Sequence, residues 1–249
     1  MGTSSARRAP TTRFWRRAKG AASRYLSPAG GVGLEAREVV ARYLAALGES
    51  SQPGSQDLLA AFRLTRKAAQ TLGAWAAQTI SQGGDATLAD RDLTEGPGKS
   101  REVVVPAWAG MLLEPDGSLE GAVARSSLAA VLLDFDRRGP DRAPRLVAQF
   151  LAESLYQRLV LDLGEPLEAA SLNFGHWQRG LDGLQGWIAG SAREEPEAPR
   201  SPEQWRGLAG WTWVTLTLEN LLRRLQKASS AKTGEAFIPG LPPANHGKP

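Results

Sequence analysis

An all-α fold, an irregular bundle of about five or six main helices with flexible N- and C-terminal tails, is predicted by three observations. Long stretches repeat apolar residues at spacings of three, four and seven, and Gly- and Pro-containing breaks separate them. The β-branched run Glu102-Val-Val-Val-Pro-Ala-Trp108 is isolated and interrupted by Pro106, so it supplies at most one short extended piece.

The opening MGTSSARRAP is small and polar, without apolar periodicity, and cannot bury enough surface to offset the entropy of ordering. A basic amphipathic segment follows, in which Phe14, Trp15, Ala18, Ala22 and Tyr25 share a helical face before Pro28 and a glycine run break it. Residues 34–47 form the next helix, with Gly48 at its C-cap. Ser55 caps a longer helix to about Gln82, carrying Leu58, Phe62, Ala69, Leu72, Ala76 and Ile80.

Residues 83–101 are rich in Gly, Asp, Thr and Pro and form an exposed loop. Ser118 caps a helix to about Phe135, and Pro144 opens another that Gly164 and Pro166 close. Two further helices are expected at about 171–189 and 202–228, joined by the polar linker SAREEPEAPR. The expected organisation is a flexible basic segment over 1–33, a helical domain over 34–228, and a Gly/Pro-containing tail over 229–249.

Composition removes several function classes. The 249 residues, 42% apolar and 22% charged, can bury a sizeable core. With no Cys and two His, thiolate metal clusters, Cys nucleophiles and disulfides are excluded. No run of eighteen apolar residues and no secretory signal pattern occurs, so a cytoplasmic protein without membrane association is expected.

Charge is uneven. Arg7, Arg8, Arg13, Arg16, Arg17, Lys19 and Arg24 precede the first acid, while the whole chain carries only +4, so the body is net negative. A basic head on an acidic body can dock on an acidic partner, on nucleic acid or on its own body. Trp15, set among those cations, can stack on bases, enter a partner groove or fold inward.

Catalytic and metal constellations are sparse. Gly96-Pro-Gly-Lys-Ser100 ends like a phosphate-binding loop, but Leu93 stands where the first glycine belongs and no strand precedes it. Asp134 and Asp136 could share a divalent metal if extended, yet they sit at a helix end beside Arg137 and Arg138. Glu153, Asp162, Glu165 and Glu168 lack the Glu-x-x-His pattern of a di-metal bundle. His176, beside Trp177, is read as a packing or capping residue, and His246 falls in the tail. Trp205, Trp211 and Trp213 fill core volume or a partner-facing groove. No metal site, catalytic residue or cofactor is assigned to this chain.

The amino terminus itself is chemically distinctive. Ala6 stands where an N-myristoylation motif wants Ser or Thr. Loss of Met1 would still leave the unhindered Gly2 amine, whose pKa near ~8 makes it a better nucleophile at neutral pH than a Lys amine.

The opening MGTS, the basic segment with small residues behind it, and the stretches LEGAVARSSLAAVLLDF, FLAESLYQRLVLDLGEPLE and GLQGWI resemble the QatB components of bacterial QatABCD anti-phage defence systems. The resemblance implies a non-enzymatic defence component that binds a QueC-like enzyme. ATP and a 7-deazaguanine precursor would be held by that enzyme, and the base would be joined to Gly2. It also implies Gly2, Thr3, Ser4, Ser5 and Trp15 as partner-binding residues, with the ATPase and the TatD-like nuclease of the system as further partners. An early Arg-rich segment replaces the longer Pro/Gly-rich leader of the family. The residues leave two other classes open: a nucleic-acid-binding adaptor using the basic aromatic head, and an enzyme using Asp134 and Asp136 or His176.

Overall fold

The computed structural model describes residues 12–27, 34–51, 58–81, 109–110, 112–113, 117–133 and 142–230. Among them are eight α-helices and no strand, as the apolar periodicity requires. They are α1 (Arg13–Tyr25), α2 (Ala36–Ser51), a 3-10 turn over Leu58–Phe62 leading into α3 (Arg63–Ser81), α4 (Leu119–Leu133), α5 (Arg142–Ala170), α6 (Phe174–Ser191), α7 (Pro202–Arg206) and α8 (Leu208–Ser230).

The core is organised around α5, which packs against α1, α3, α4, α6 and α8. Its buried residues Leu146, Val147, Phe150, Leu151, Leu155, Leu159, Leu163 and Leu167 recur at helical spacing. Each contributes about 1.5–3 kcal/mol on leaving water. That stripe explains a correction. The expected stop at Gly164 and Pro166 does not occur, and the helix runs through both to Ala170. Leu163 and Leu167, both 0% exposed, pack on either side of the proline. Their burial offsets the backbone hydrogen bond that proline cannot donate.

Other boundaries moved for local reasons. The first helix after the basic segment continues past Gly48 to Ser51, and Gly48 faces Leu58 of the 3-10 turn rather than ending the helix. The long helix expected to start near Ser55 is a 3-10 turn followed by α3, with Ser55 itself outside the described residues. The single helix expected over 202–228 is two helices broken at Gly207, whose backbone is extended. Gln70 of α3 donates to the carbonyls of Arg206 and Gly207 at 3.1 and 2.9 Å, satisfying acceptors that the break exposes. Trp205, fully buried, lies so close to Gly73 that any Cβ there would meet its ring at 2.2 Å.

The caps follow sequence logic more closely. Ser118 accepts the Gly121 N–H at 3.0 Å, and Ser201 with Gln204 forms a reciprocal capping box ahead of Pro202. The linker after α6 is held by α8, where Trp213 Nε1 donates to the Glu195 carbonyl at 3.1 Å and Arg224 pairs with the Glu195 carboxylate at 2.7 Å. The 83–101 loop, the 102–108 run and the tail beyond Ser230 lie outside the described residues.

One buried polar contact crosses the core. Tyr43 of α2, 0% exposed, donates to Asp162 of α5 at 2.8 Å, and Arg158 stands 3.9 Å from the same carboxylate. Burial, then the Asp162 charge, pushes the Tyr43 phenol well above its ordinary value near 10. The unfolded phenol ionises first as pH rises, so this contribution to stability is complete below about pH 10 and declines above it. Thermal melts from pH 8 to 11 should therefore show a melting temperature that falls beyond pH 10, with a shallower fall in Tyr43→Phe.

Candidate functional site

The candidate site is the amino-terminal end of α1 and its contacts with α2. Thr12 N-caps α1, accepting the Trp15 N–H at 3.5 Å and donating its hydroxyl to Glu49 of α2 at 2.7 Å. Trp15 lies edge-to-face on Tyr43, with centroids 5.9 Å apart and an interplanar angle of 75°. At the other end of α1, the Tyr25 hydroxyl donates to the Gly180 carbonyl at 3.0 Å. Gly180 and Gly183 of α6 make that approach possible, since a Cβ at either would meet Leu26 or Tyr25 within 2.3 and 2.6 Å.

These contacts fix the direction of α1. Thr12 meets Glu49 and Trp15 meets Tyr43, so α1 and α2 run antiparallel. Tyr43 meets Asp162 on α5, while Tyr25 meets Gly180 on α6. Gln185 of α6 reaches Glu153 of α5 at 3.0 Å, so α5 and α6 are antiparallel around the turn at 171–173.

The two faces of α1 differ. Trp15, Ala18, Ala21 and Ala22 are buried. Arg13, Arg16, Arg17 and Arg24 are exposed, and Lys19 is half-buried. Among the described residues Arg16, Arg17, Lys19 and Arg24 make no ion pair, whereas Arg37, Arg223 and Arg224 each hold a carboxylate within 2.7 Å. Arg13 stands 4.8 Å above the Phe14 ring.

The fates of the sequence-predicted residues divide accordingly. Gly2, Thr3, Ser4, Ser5, Arg7 and Arg8 lie outside the described residues, as do Gly96–Ser100, Asp134, Asp136 and His246. Trp15 requires a correction. It folds inward, 4% exposed, and so leaves the set of residues a partner can reach. With it residues 13–26 join the helical body, so the line expected at 33/34 does not set α1 apart. His176 is a capping residue, its Nδ1 accepting the Leu172 N–H at 3.3 Å just ahead of α6. Trp205 and Trp213 are core residues in edge-to-face contact, and Trp211 lies under Arg66 at 4.7 Å.

Two surface features escaped the sequence. A groove of about 510 Å³ runs between α4, α5 and α6, past Val131, Gln149, Tyr156, Asp182 and Gln185. Burial, with the Glu153 and Asp182 carboxylates beside it, pushes the Tyr156 phenol up to about 12. Glu153 is engaged by Gln157 and Gln185, so its carboxylate is tied into the scaffold. The second feature is Phe174, 72% exposed at the first turn of α6 and 5.7 Å from the Trp177 ring. No group of three or more His, Asp or Glu among the described residues is arranged to hold a metal ion, and none of their helices is long and apolar enough to cross a membrane.

The family model for QatB, the Qat anti-phage system associated protein, matches residues 53–204, more than half of the chain. No curated protein and no solved structure matches the chain.

The anchoring of α1 makes a quantitative distinction between its faces. Trp15→Ala should cost about 3–5 kcal/mol in denaturant unfolding, as large buried aromatics do. Arg16→Gln and Arg17→Gln should each change it by less than about 0.5 kcal/mol.

Proposed function

This chain belongs to the QatB family of Qat anti-phage system associated proteins, and from that membership we propose that it is a non-enzymatic component that binds a QueC-like enzyme and presents Gly2 to it. Family membership is the observation that carries the reading. The similarity of the opening MGTS and of the helical stretches to that family supplies its chemical detail.

The chemistry belongs to the partner. ATP would activate the carboxylate of a 7-deazaguanine as an acyl adenylate, releasing pyrophosphate. The Gly2 amine, freed by loss of Met1, would attack that carbonyl; AMP leaves, the nitrogen gives up a proton and an amide forms. An α-amine suits this step because its pKa near ~8 leaves a useful neutral fraction at pH 7, unlike Lys near ~10.4. Gly2, Thr3, Ser4 and Ser5 offer little bulk and several hydrogen-bonding groups to a narrow channel. The placement of Thr12 at the bundle surface, capped and tied to Glu49, supports this division between a presented terminus and a folded handle.

Intact-mass measurement after co-expression with the QueC-like enzyme, its precursor and ATP should give a chain heavier by one 7-deazaguanine acyl group at Gly2. An unshifted mass with a free Gly2 amine would remove the acceptor role. The exposed, unpaired cations of α1 favour a second reading, a nucleic-acid-binding adaptor, in which phosphates replace the enzyme. It requires DNA or RNA affinity that drops steeply with salt, by a slope that shrinks about one unit per phosphate-contacting Arg removed from Arg13, Arg16, Arg17 and Arg24.

A further inference from the structure

We propose that the groove between α4, α5 and α6 binds a small organic cation, an ammonium or guanidinium group on a carbon stem. The charged head sits between the Glu153 and Asp182 carboxylates and the stem lies along Val131, Ala152 and Ala189. The groove shares no residue with the amino-terminal end of α1, and nothing in it depends on Gly2.

Shape is the first support. At about 510 Å³ the groove has the volume of sites that enclose a small molecule. α4 and α6 each pack on α5, and the groove opens where the three helices line it together. Its apolar surface comes from Val131 of α4, Ala152 of α5 and Ala189 of α6, short side chains that suit a carbon stem. On the α6 wall a Cβ at Gly186 would meet nothing within 4 Å, so the space beside it is open. Gly180 and Gly183, by contrast, are spaces that Leu26 and Tyr25 fill.

Charge decides the class of ligand. Two carboxylates line the groove, and no Lys, Arg or His is among its described lining residues. Glu153 accepts from Gln157 through Oε1 at 2.9 Å and from Gln185 through Oε2 at 3.0 Å. Those neutral amides orient the carboxylate without cancelling its charge, and each oxygen keeps a lone pair for a further donor. Asp182, exposed on α6, has no hydrogen bond or ion pair among the described residues. The Tyr156 hydroxyl likewise makes no hydrogen bond to a described residue. Burial, then the Glu153 and Asp182 charges, hold its phenol up at about 12, and the part due to charge marks a negative potential at that hydroxyl. An ammonium or guanidinium there gains charge-assisted hydrogen bonds that a neutral donor cannot match. An anion is repelled, and a neutral molecule finds only the apolar floor.

The chain has three Tyr, so full-length protein labelled with 3-fluorotyrosine gives three fluorine resonances, and Tyr156→Phe identifies that of Tyr156. At neutral pH, agmatine and pentylamine should shift this resonance saturably and leave those of Tyr25 and Tyr43 in place. Pentanol and pentanoate should not. Asp182→Asn should weaken agmatine binding about tenfold. Gly186→Leu should abolish it with a melting temperature no lower than that of the wild type, because its Cβ meets no neighbour and Leu favours a helix over Gly. The site is refuted if neither amine gives a saturable shift at millimolar concentration, if pentanol or pentanoate moves the signal as strongly, or if either variant binds as the wild type does. A shift produced by oligoarginine alone would also overturn the proposal, since the groove would then take a partner protein's side chain in place of a small molecule.

Discussion

The burial of Trp15 against Tyr43, and of Tyr43 against Asp162, decides where α1 begins on the bundle. Three helices from distant parts of the chain meet at this point, α1 through an aromatic edge, α2 through a phenol and α5 through a carboxylate. A Trp side chain buries roughly 150–250 Å², enough to hold a short helix that could not be stable alone. Without this anchor the first turns of α1 would lose their hold, while Tyr25 still ties its other end to α6. With it the cations of α1 stand on one face, and Thr12 is fixed beside Glu49.

The remainder of the fold serves as a frame for that point. α5 supplies an apolar stripe that persists through Pro166, because Leu163 and Leu167 are both fully buried. α6 returns along α5 and offers Gly180 and Gly183 as room for Tyr25 and Leu26. α1 is thus held at both ends, by bulky side chains at one and by glycines that leave room for them at the other. The resulting body is a packed handle, and the groups that the family resemblance marks for chemistry precede it.

Much of this architecture was legible in the sequence, for identifiable reasons. The 3.6-residue spacing of Leu and Ala gave away the helices, and Ser118 and Ser201 are strong starting signals because their hydroxyls satisfy orphan N–H groups. Stops were harder to place. Gly48, Gly164 and Pro166 all look like terminators in one dimension, and tertiary contacts overrode each of them. Gly207 was the reverse case, an ordinary glycine that breaks a helix because Gln70 can satisfy the freed carbonyls. The inward turn of Trp15 was one of three open roles, since its aromatic partner lies 28 residues away on another helix. The groove past Tyr156 was invisible because it joins three helices. Phe174 had a local signal, a large apolar residue directly after a capping Asn, but exposure is a property of the assembled bundle.

In the proposed function, the amino-terminal residues and the start of α1 are what the partner enzyme meets. Hydrogen–deuterium exchange on the full chain, alone and saturated with the QueC-like enzyme, measures this directly. Added protection is expected in residues 2–11 and in the first turns of α1, with α8 unchanged. Protection confined to α8 or to the groove past Tyr156, with the amino-terminal residues exchanging as freely as before, would contradict it.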